Sequence, residues 1–256
     1  MPTALVTGAS SGIGVDLARE LSRDGHNLVL VARRAEPMRA LAAELKTNVE
    51  IVTADLSKPG AAAALVVELE ARRLAIDVLI NNAGLGATGR FDRSDPAKVT
   101  EMLQVNVTAL TELTRLLLPP MIARKQGRIM LVASTAAFQP GPLMAVYYAT
   151  KAYVLSFGEA IWFELRGTGV TVTTLCPGPT ATNFADAAEN NRTVLFKSSM
   201  IKKMSSAEVA RIGYRALKAG KRVAITGASN KISAIGGRLS PRGVVLPLAN
   251  YLNSEG

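Results

Sequence analysis

The chain has 256 residues, 48% of them hydrophobic and 20% charged, enough to close one full core and unlike a disordered or fibrous chain. Thirty basic against twenty acidic side chains give a net charge of +10, and a single cysteine, Cys176, excludes an internal disulfide. One histidine and one cysteine give a soft-ligand metal site nothing to build from, so no metal is expected.

The charge is unevenly placed. Residues 1–190 balance 18 basic with 18 acidic side chains, whereas residues 191–256 carry 12 basic ones against only Glu208 and Glu255. A basic tail of this kind suits an acidic partner, an anionic surface or simply a well-solvated face. No helix-turn-helix, zinc-finger or aromatic-and-basic RNA-binding signature accompanies it, so nucleic acid is not an expected partner. No apolar run approaches the roughly 18 residues of a membrane span. The opening "MPTALVTGAS" runs straight into a strand, so no cleavable leader is expected, and the lone cysteine fits a reducing compartment; the expected location is cytoplasmic.

In chain order, short apolar runs alternate with helix-length segments. "TALVTG" at 3–8, "NLVLVAR" at 27–33, "VEIVTAD" at 49–55, "DVLINNAG" at 77–84, "RIMLVAS" at 128–134, "VTVTTLCPG" at 170–178 and "RVAITG" at 222–227 read as seven strands. Most are continuously apolar, as expected for strands covered on both faces. Helical stretches such as "GVDLARELSRDG", ending at Gly25, and "PMRALAAELKT" lie between them. This β-α-β-α rhythm predicts a doubly wound parallel sheet, with ligands at the carboxyl ends of the strands. No linker or low-complexity tract divides it, so residues 1–256 are read as one domain.

The first strand ends in "TGASSGIG", where Gly8, Gly12 and Gly14 stand between a strand and an amphipathic helix. A side chain at Gly12 would obstruct a pyrophosphate, and helix N-terminal amides favour its charge. Ser10 and Ser11 add hydroxyl donors. At the end of the second strand, where an acid would bind ribose hydroxyls, the chain has Ala32, then Arg33 and Arg34. Forked guanidinium donors suit a 2′-phosphate and predict a preference for NADP(H), although two solvent-facing arginines also suit a helix start. His26, after "SRDG", is expected on the surface.

Further on, "VYYATK" at 146–151 offers two tyrosines near a lysine. At about 100° per helical residue, Tyr147 (i,i+4) and Tyr148 (i,i+3) both come close to the face of Lys151, so spacing alone leaves the choice open. Trp162 reads as core or subunit contact, and Cys176 as a buried small hydrophobe rather than a reactive thiol. The second "TGAS", at 226–229, lacks the glycine spacing and reads as a turn after an edge strand.

With "TGASSGIG", "NNAG" at 81–84, Asn106, Ser134, "YYATK" and "PGPTAT" at 177–182 in order, the chain resembles the classical short-chain dehydrogenase/reductases from residue 3 to about 240. That resemblance implies a doubly wound Rossmann fold with a seven-stranded, mostly parallel sheet and helices on both faces. It also implies a catalytic set of Asn106, Ser134, Tyr147 and Lys151. Tyr147 would be the acid, its pKa lowered by Lys151 with the nicotinamide's charge in the oxidised complex; Ser134 would bond the substrate carbonyl, Lys151 the nicotinamide ribose, and Asn106 a water behind the lysine. By the same likeness Ile13, Asp55, Leu56, Asn82, Ala83 and Gly84 join the cofactor-binding set. Pro177, Gly178, Thr180 and Thr182 grip the nicotinamide amide. Thr180 departs from the aliphatic residue more usual there.

Substrate choice is then expected in a loop at about 183–206. Phe184, Val194, Leu195, Phe196, Met200, Ile201 and Met204 are apolar there, with Lys197, Lys202 and Lys203 between them. This composition suits a hydrophobic ketone with an anionic handle, such as a 3-oxoacyl thioester, or a steroid-like ketone. The basic, then apolar extension at about 231–256 is expected to cover the pocket, join an oligomer contact or touch a membrane surface; nothing in it singles out the membrane. Family likeness suggests a homodimer or homotetramer through helices near 101–125 and 148–166. The competing reading is a non-catalytic NADP(H)-binding redox sensor or regulator, for which a complete Ser134-Tyr147-Lys151-Asn106 set is superfluous.

Overall fold

A computed structural model describes residues 1–182, 184, 188, 192–198 and 203–255. β1 (Thr3–Thr7), β2 (Asn27–Ala32), β3 (Val49–Thr53), β4 (Val78–Asn81), β5 (Gly127–Val132), β6 (Val170–Cys176) and β7 (Val223–Ile225) form one sheet in the order β3-β2-β1-β4-β5-β6-β7. Every pairing is parallel, with Leu5 flanked by Val29 and Leu79. The seven strands are those expected from the apolar runs. Because the chain winds outward to β3 and then returns past β1 to β4, the strand order reverses between β1 and β4. The crevice opened there at the carboxyl ends is where such sheets bind ligands.

Successive strand residues point to opposite faces, so each run of valine, leucine and isoleucine feeds two cores. On one face Leu5, Val29, Leu79, Ile129 and Leu131 pack with α3 (Ala61–Ala71), α5 (Leu110–Ala123) and α6 (Ala145–Glu164). On the other, Val6, Leu28, Leu30, Ile80 and Met130 pack with α1 (Gly12–Arg23), α2 (Ala35–Glu44) and α7 (Ser206–Lys218). α7 starts in a reciprocal cap between Ser205 and Glu208. α4 (Pro96–Leu103) starts at Asp95, whose side chain accepts from the Ala97 amide. Between α4 and α5, residues Gln104–Ala109 make a π-helical turn.

Two expectations are corrected. His26 is buried rather than on the surface, because the chain folds back after Gly25 (φ 82°). Its Nδ1 meets the Leu21 carbonyl at 3.2 Å, its ring meets Tyr214 edge-on, and burial lowers its pKa. The second "TGAS" does follow an edge strand, but it opens a helix rather than a simple turn. After Gly227, α8 (Ala228–Leu239) and α9 (Arg242–Asn253) fold back over the carboxyl ends of the strands. Cys176 is fully buried, and burial pushes its thiol up to about 12. Trp162 is partly buried against the core, with the Arg222 guanidinium 5.6 Å from its ring centre.

Candidate active site

The carboxyl ends of β1 and β4 are tied together by one threonine. Thr7 Oγ1 donates to the Ile80 carbonyl (3.3 Å) and accepts from the amides of Asn82 and Ala83 (both 3.0 Å). Asn82 Nδ2 in turn donates to the Thr7 carbonyl at 2.9 Å. This stitching brings the "NNAG" turn so close to the glycine loop that side chains are excluded. A Cβ on Gly14 would lie 2.4 Å from the Gly8 carbonyl oxygen, and one on Gly8, at φ 67°, would lie 2.8 Å from Asn82 Nδ2. Gly12 (φ 59°) faces the Thr182 methyl. The loop is thus a backbone cradle at the N-terminus of α1, which suits a pyrophosphate.

A cavity of about 1040 Å³ runs from this cradle across the strand ends. At one end it is lined by Ser10, Ser11, Gly12, Ile13, Arg33 and Arg34, with Asp55 and Leu56 on its floor. Asp55 accepts from the Ser57 amide (3.1 Å) and hydroxyl (2.8 Å). Burial works against its charge, but these bonds, with Arg33 and Lys58, hold its carboxyl below the usual range. The middle is walled by Ala83, Gly84, Pro177, Gly178, Thr180 and Thr182. A short parallel pair, Thr180–Ala181 with Met204–Ser205, fixes the latter segment.

At the other end Ser134, Tyr147 and Lys151 converge. Ser134 caps the turn after β5 by accepting from the Ala136 amide (3.1 Å), and it is hydrogen-bonded to Tyr147. Lys151, buried on α6, donates from Nζ to the Val132 carbonyl at 2.9 Å and lies 5.7 Å from the centre of the Tyr147 ring. Desolvation lowers the Lys151 pKa to about 8. It pushes Tyr147 up to about 12, against the pull of Ser134. The expected depression, which counts on the nicotinamide's charge as well as on Lys151, is therefore not a property of the protein alone, where burial raises the tyrosine. Asn106 sits in the π-helical turn with its amide fully engaged. Oδ1 accepts from the Leu85 amide (2.8 Å), while Nδ2 donates to the Leu85 carbonyl (2.9 Å) and to Thr150 Oγ1 (3.0 Å). A Cβ on Gly84 would lie 3.5 Å from Asn106 Oδ1 and 3.4 Å from Lys151 Nζ, so the two side chains meet across that glycine.

Tyr148, one residue on, also lines the cavity, but its hydroxyl is engaged elsewhere. Its hydroxyl donates to Asn253 Oδ1 at 3.3 Å. The structure also adds lining residues that sequence reasoning missed, Gln139, Met144, Ser229 and Asn230, while Ser233, Ala234 and Leu252 come from the extension for which covering the pocket was one expectation. Asn230 immediately follows the second "TGAS", and a Cβ on Gly178 would lie 2.2 Å from it, so the start of α8 packs directly on the "PGPT" segment. Of the apolar loop residues, Phe184, Leu195 and Phe196 line the cavity, and the Phe184 ring centre lies 5.5 Å from that of Tyr147. Lys197 and Lys203 are exposed, and Lys203 bonds the Phe196 carbonyl. Met200, Ile201 and Lys202 lie outside the described residues.

The description of short chain dehydrogenases matches residues 2–193. The chain belongs to that family. A short-chain dehydrogenase is an NAD(P)-dependent oxidoreductase of the CH–OH/C=O couple, as the names of related proteins reflect. The NADP-dependent 3-hydroxy acid dehydrogenase YdfG of Salmonella typhi is 38% identical over 177 residues, 68% of this chain and 71% of that protein. Among solved structures, the Sphingobium yanoikuyae short-chain dehydrogenase in complex with NADPH is 32% identical. It superposes with a TM-score of 0.82 over 93% of either chain. A bulky-bulky ketone specific alcohol dehydrogenase from Comamonas testosteroni is 29% identical, with a TM-score of 0.78 over 93% of this chain and 92% of that one.

Proposed function

We propose that this short-chain dehydrogenase is an NADP(H)-dependent reductase of apolar ketones, working reversibly on the corresponding secondary alcohols. The observation that carries the reading is the convergence of Ser134, Tyr147 and Lys151 at one end of a cavity whose other end is a glycine cradle flanked by Arg33 and Arg34. The residues fit a dinucleotide: Gly8, Gly12 and Gly14 leave room for its pyrophosphate, and the two arginines offer charged donors to a 2′-phosphate. The names of two relatives, one NADP-dependent and one solved with NADPH, support the same cofactor.

When bound, the nicotinamide supplies the hydride that reaches the carbonyl carbon. Everything else falls to the chain. Ser134 holds the carbonyl oxygen and stabilises the charge growing on it. Tyr147, protonated throughout the neutral range, delivers its hydroxyl proton to that oxygen and completes the alcohol. Lys151, anchored on Val132, orients the ribose and supplies the positive charge that stabilises the tyrosinate left behind. Asn106 braces Leu85 and Thr150 around that lysine. In the reverse direction the same tyrosinate takes up the alcohol proton.

Met144, Phe184, Leu195, Phe196 and Leu252 line the substrate end with apolar surface, which supports a bulky ketone such as a 3-oxoacyl thioester or steroid-like ketone. The bulky-ketone relative and a ketoacyl reductase among the curated relatives bear on the same choice. Among the described residues no helix is long and apolar enough to cross a membrane; a cytoplasmic homo-oligomer remains the proposed working form. The test is NADPH oxidation with bulky ketones and 3-oxoacyl thioesters: turnover with Ser134→Ala and Tyr147→Phe inactive supports the reading, and equal turnover in the variants removes it.

A further inference from the structure

The last residues of the chain reach back to three walls of the substrate end. Asn253, at the end of α9 and almost fully buried, accepts from the Tyr148 hydroxyl at 3.3 Å and donates from Nδ2 to the Pro142 carbonyl at 2.9 Å. One amide therefore joins α6, beside the reacting tyrosine, to the loop that follows β5. The next two residues take hold of a third wall. The Ser254 carbonyl accepts from the Val194 amide at 3.0 Å, and Glu255 bridges Thr193. Val194 begins the helical turn Val194–Lys197, which presents Leu195 and Phe196 to the cavity. Leu252, just before Asn253, lines the cavity itself.

Tyr148 is shaped for this contact rather than for chemistry. Its ring lies against the backbone at Gly141, where a Cβ would come within 2.4 Å of the ring carbons. A buried amide with both ends paired costs little, whereas removing one partner strands the others in a dry site. The surrounding walls are then free to separate.

We infer that residues 252–255 form a C-terminal clasp, with Asn253 as the positioning residue that holds the Met144, Tyr148 and Leu195–Phe196 walls at the spacing a bulky ketone requires. The clasp sets substrate size and orientation; it does not touch the cofactor end, which is closed by the glycine cradle and Thr182. The inference rests on the ketone-reductase reading above.

The experiment compares Asn253→Ala, Tyr148→Phe and the double variant in the full chain. It measures KM and kcat for a bulky aryl ketone and a small aliphatic ketone, NADPH affinity by fluorescence, and amide hydrogen exchange at 193–197. The clasp predicts a KM for the bulky ketone raised about 10-fold or more in either single variant, with kcat changed much less. It also predicts a double variant little worse than the worse single one, unchanged NADPH affinity, and faster exchange at Val194 in Asn253→Ala. An unmoved bulky-ketone KM overturns it. So does an equal loss for both ketones and for NADPH, the mark of a merely structural role. Should Asn253→Ala fail to fold, Tyr148→Phe, which only deletes one hydroxyl, decides by the same KM split. Should the wild type reduce no ketone, the reductase reading falls, and exchange at Val194 still shows whether Asn253 holds the turn.

Discussion

Tyr147 and Tyr148 both line the cavity, but one helical step, about 100°, gives their hydroxyls different partners. Tyr147 bonds Ser134, whereas Tyr148 bonds Asn253 and packs on Gly141. Tyr147→Phe should lower kcat by about 10²- to 10⁴-fold while leaving NADPH binding intact, checked by steady-state rates alongside fluorescence titration. Tyr148→Phe should retain kcat. The spacing to Lys151 could not separate the two residues; family likeness did, and the partner 105 residues away that explains Tyr148 left no local trace in the sequence. Lys151 adds a pH dependence. Burial lowers its pKa to about 8, so it is charged below that pH and neutral above it. NADPH affinity of the free protein should therefore weaken as pH rises through about 8, and Lys151→Met should abolish that inflection in a titration series. Replacing Arg33 and Arg34 with serine should cut the preference for NADPH over NADH by about 10- to 100-fold, measured as the ratio of kcat/KM values, if their charged hydrogen bonds together contribute about 1.5–3 kcal/mol.

At the scale of elements, the glycine loop was the most legible feature, because strand, glycine spacing and amphipathic helix all had to coincide. The structure adds the reason for each glycine: Gly14 faces the Gly8 carbonyl and Gly8 faces Asn82. Gly14→Ala should cost about 1–3 kcal/mol in denaturant unfolding, since the obstructing atom is backbone and cannot rotate away. The second "TGAS" was misread for a physical reason. The first copy makes a turn before α1, which starts at Gly12, and Gly12 and Gly14 leave a cradle; the second runs straight into α8 at Ala228 without those glycines. The second instead sets Asn230 against Gly178 and helps build the cavity. The burial of His26 is not legible locally, because the ring that it meets edge-on, Tyr214, is remote in sequence.

At the scale of the molecule, the seven strands and their parallel order follow from apolar runs too continuous for a half-exposed sheet. The basic surplus of the C-terminal quarter is less legible, since pairs such as Lys218 with Asp24 and Arg222 with Glu159 form between distant elements. Leu103, Leu116, Tyr153 and Phe163 stay exposed on helices expected at a subunit contact. Sedimentation should accordingly show a dimer or tetramer that Phe163→Glu weakens. The central claim is that this chain reduces apolar ketones with NADPH through Tyr147. Its most direct test follows NADPH oxidation over small ketones, steroid-like ketones and 3-oxoacyl thioesters, with Tyr147→Phe alongside. Turnover of a bulky apolar class that vanishes in the variant is the predicted result. Tight NADPH binding with no turnover of any class, or turnover that survives in Tyr147→Phe, would contradict it.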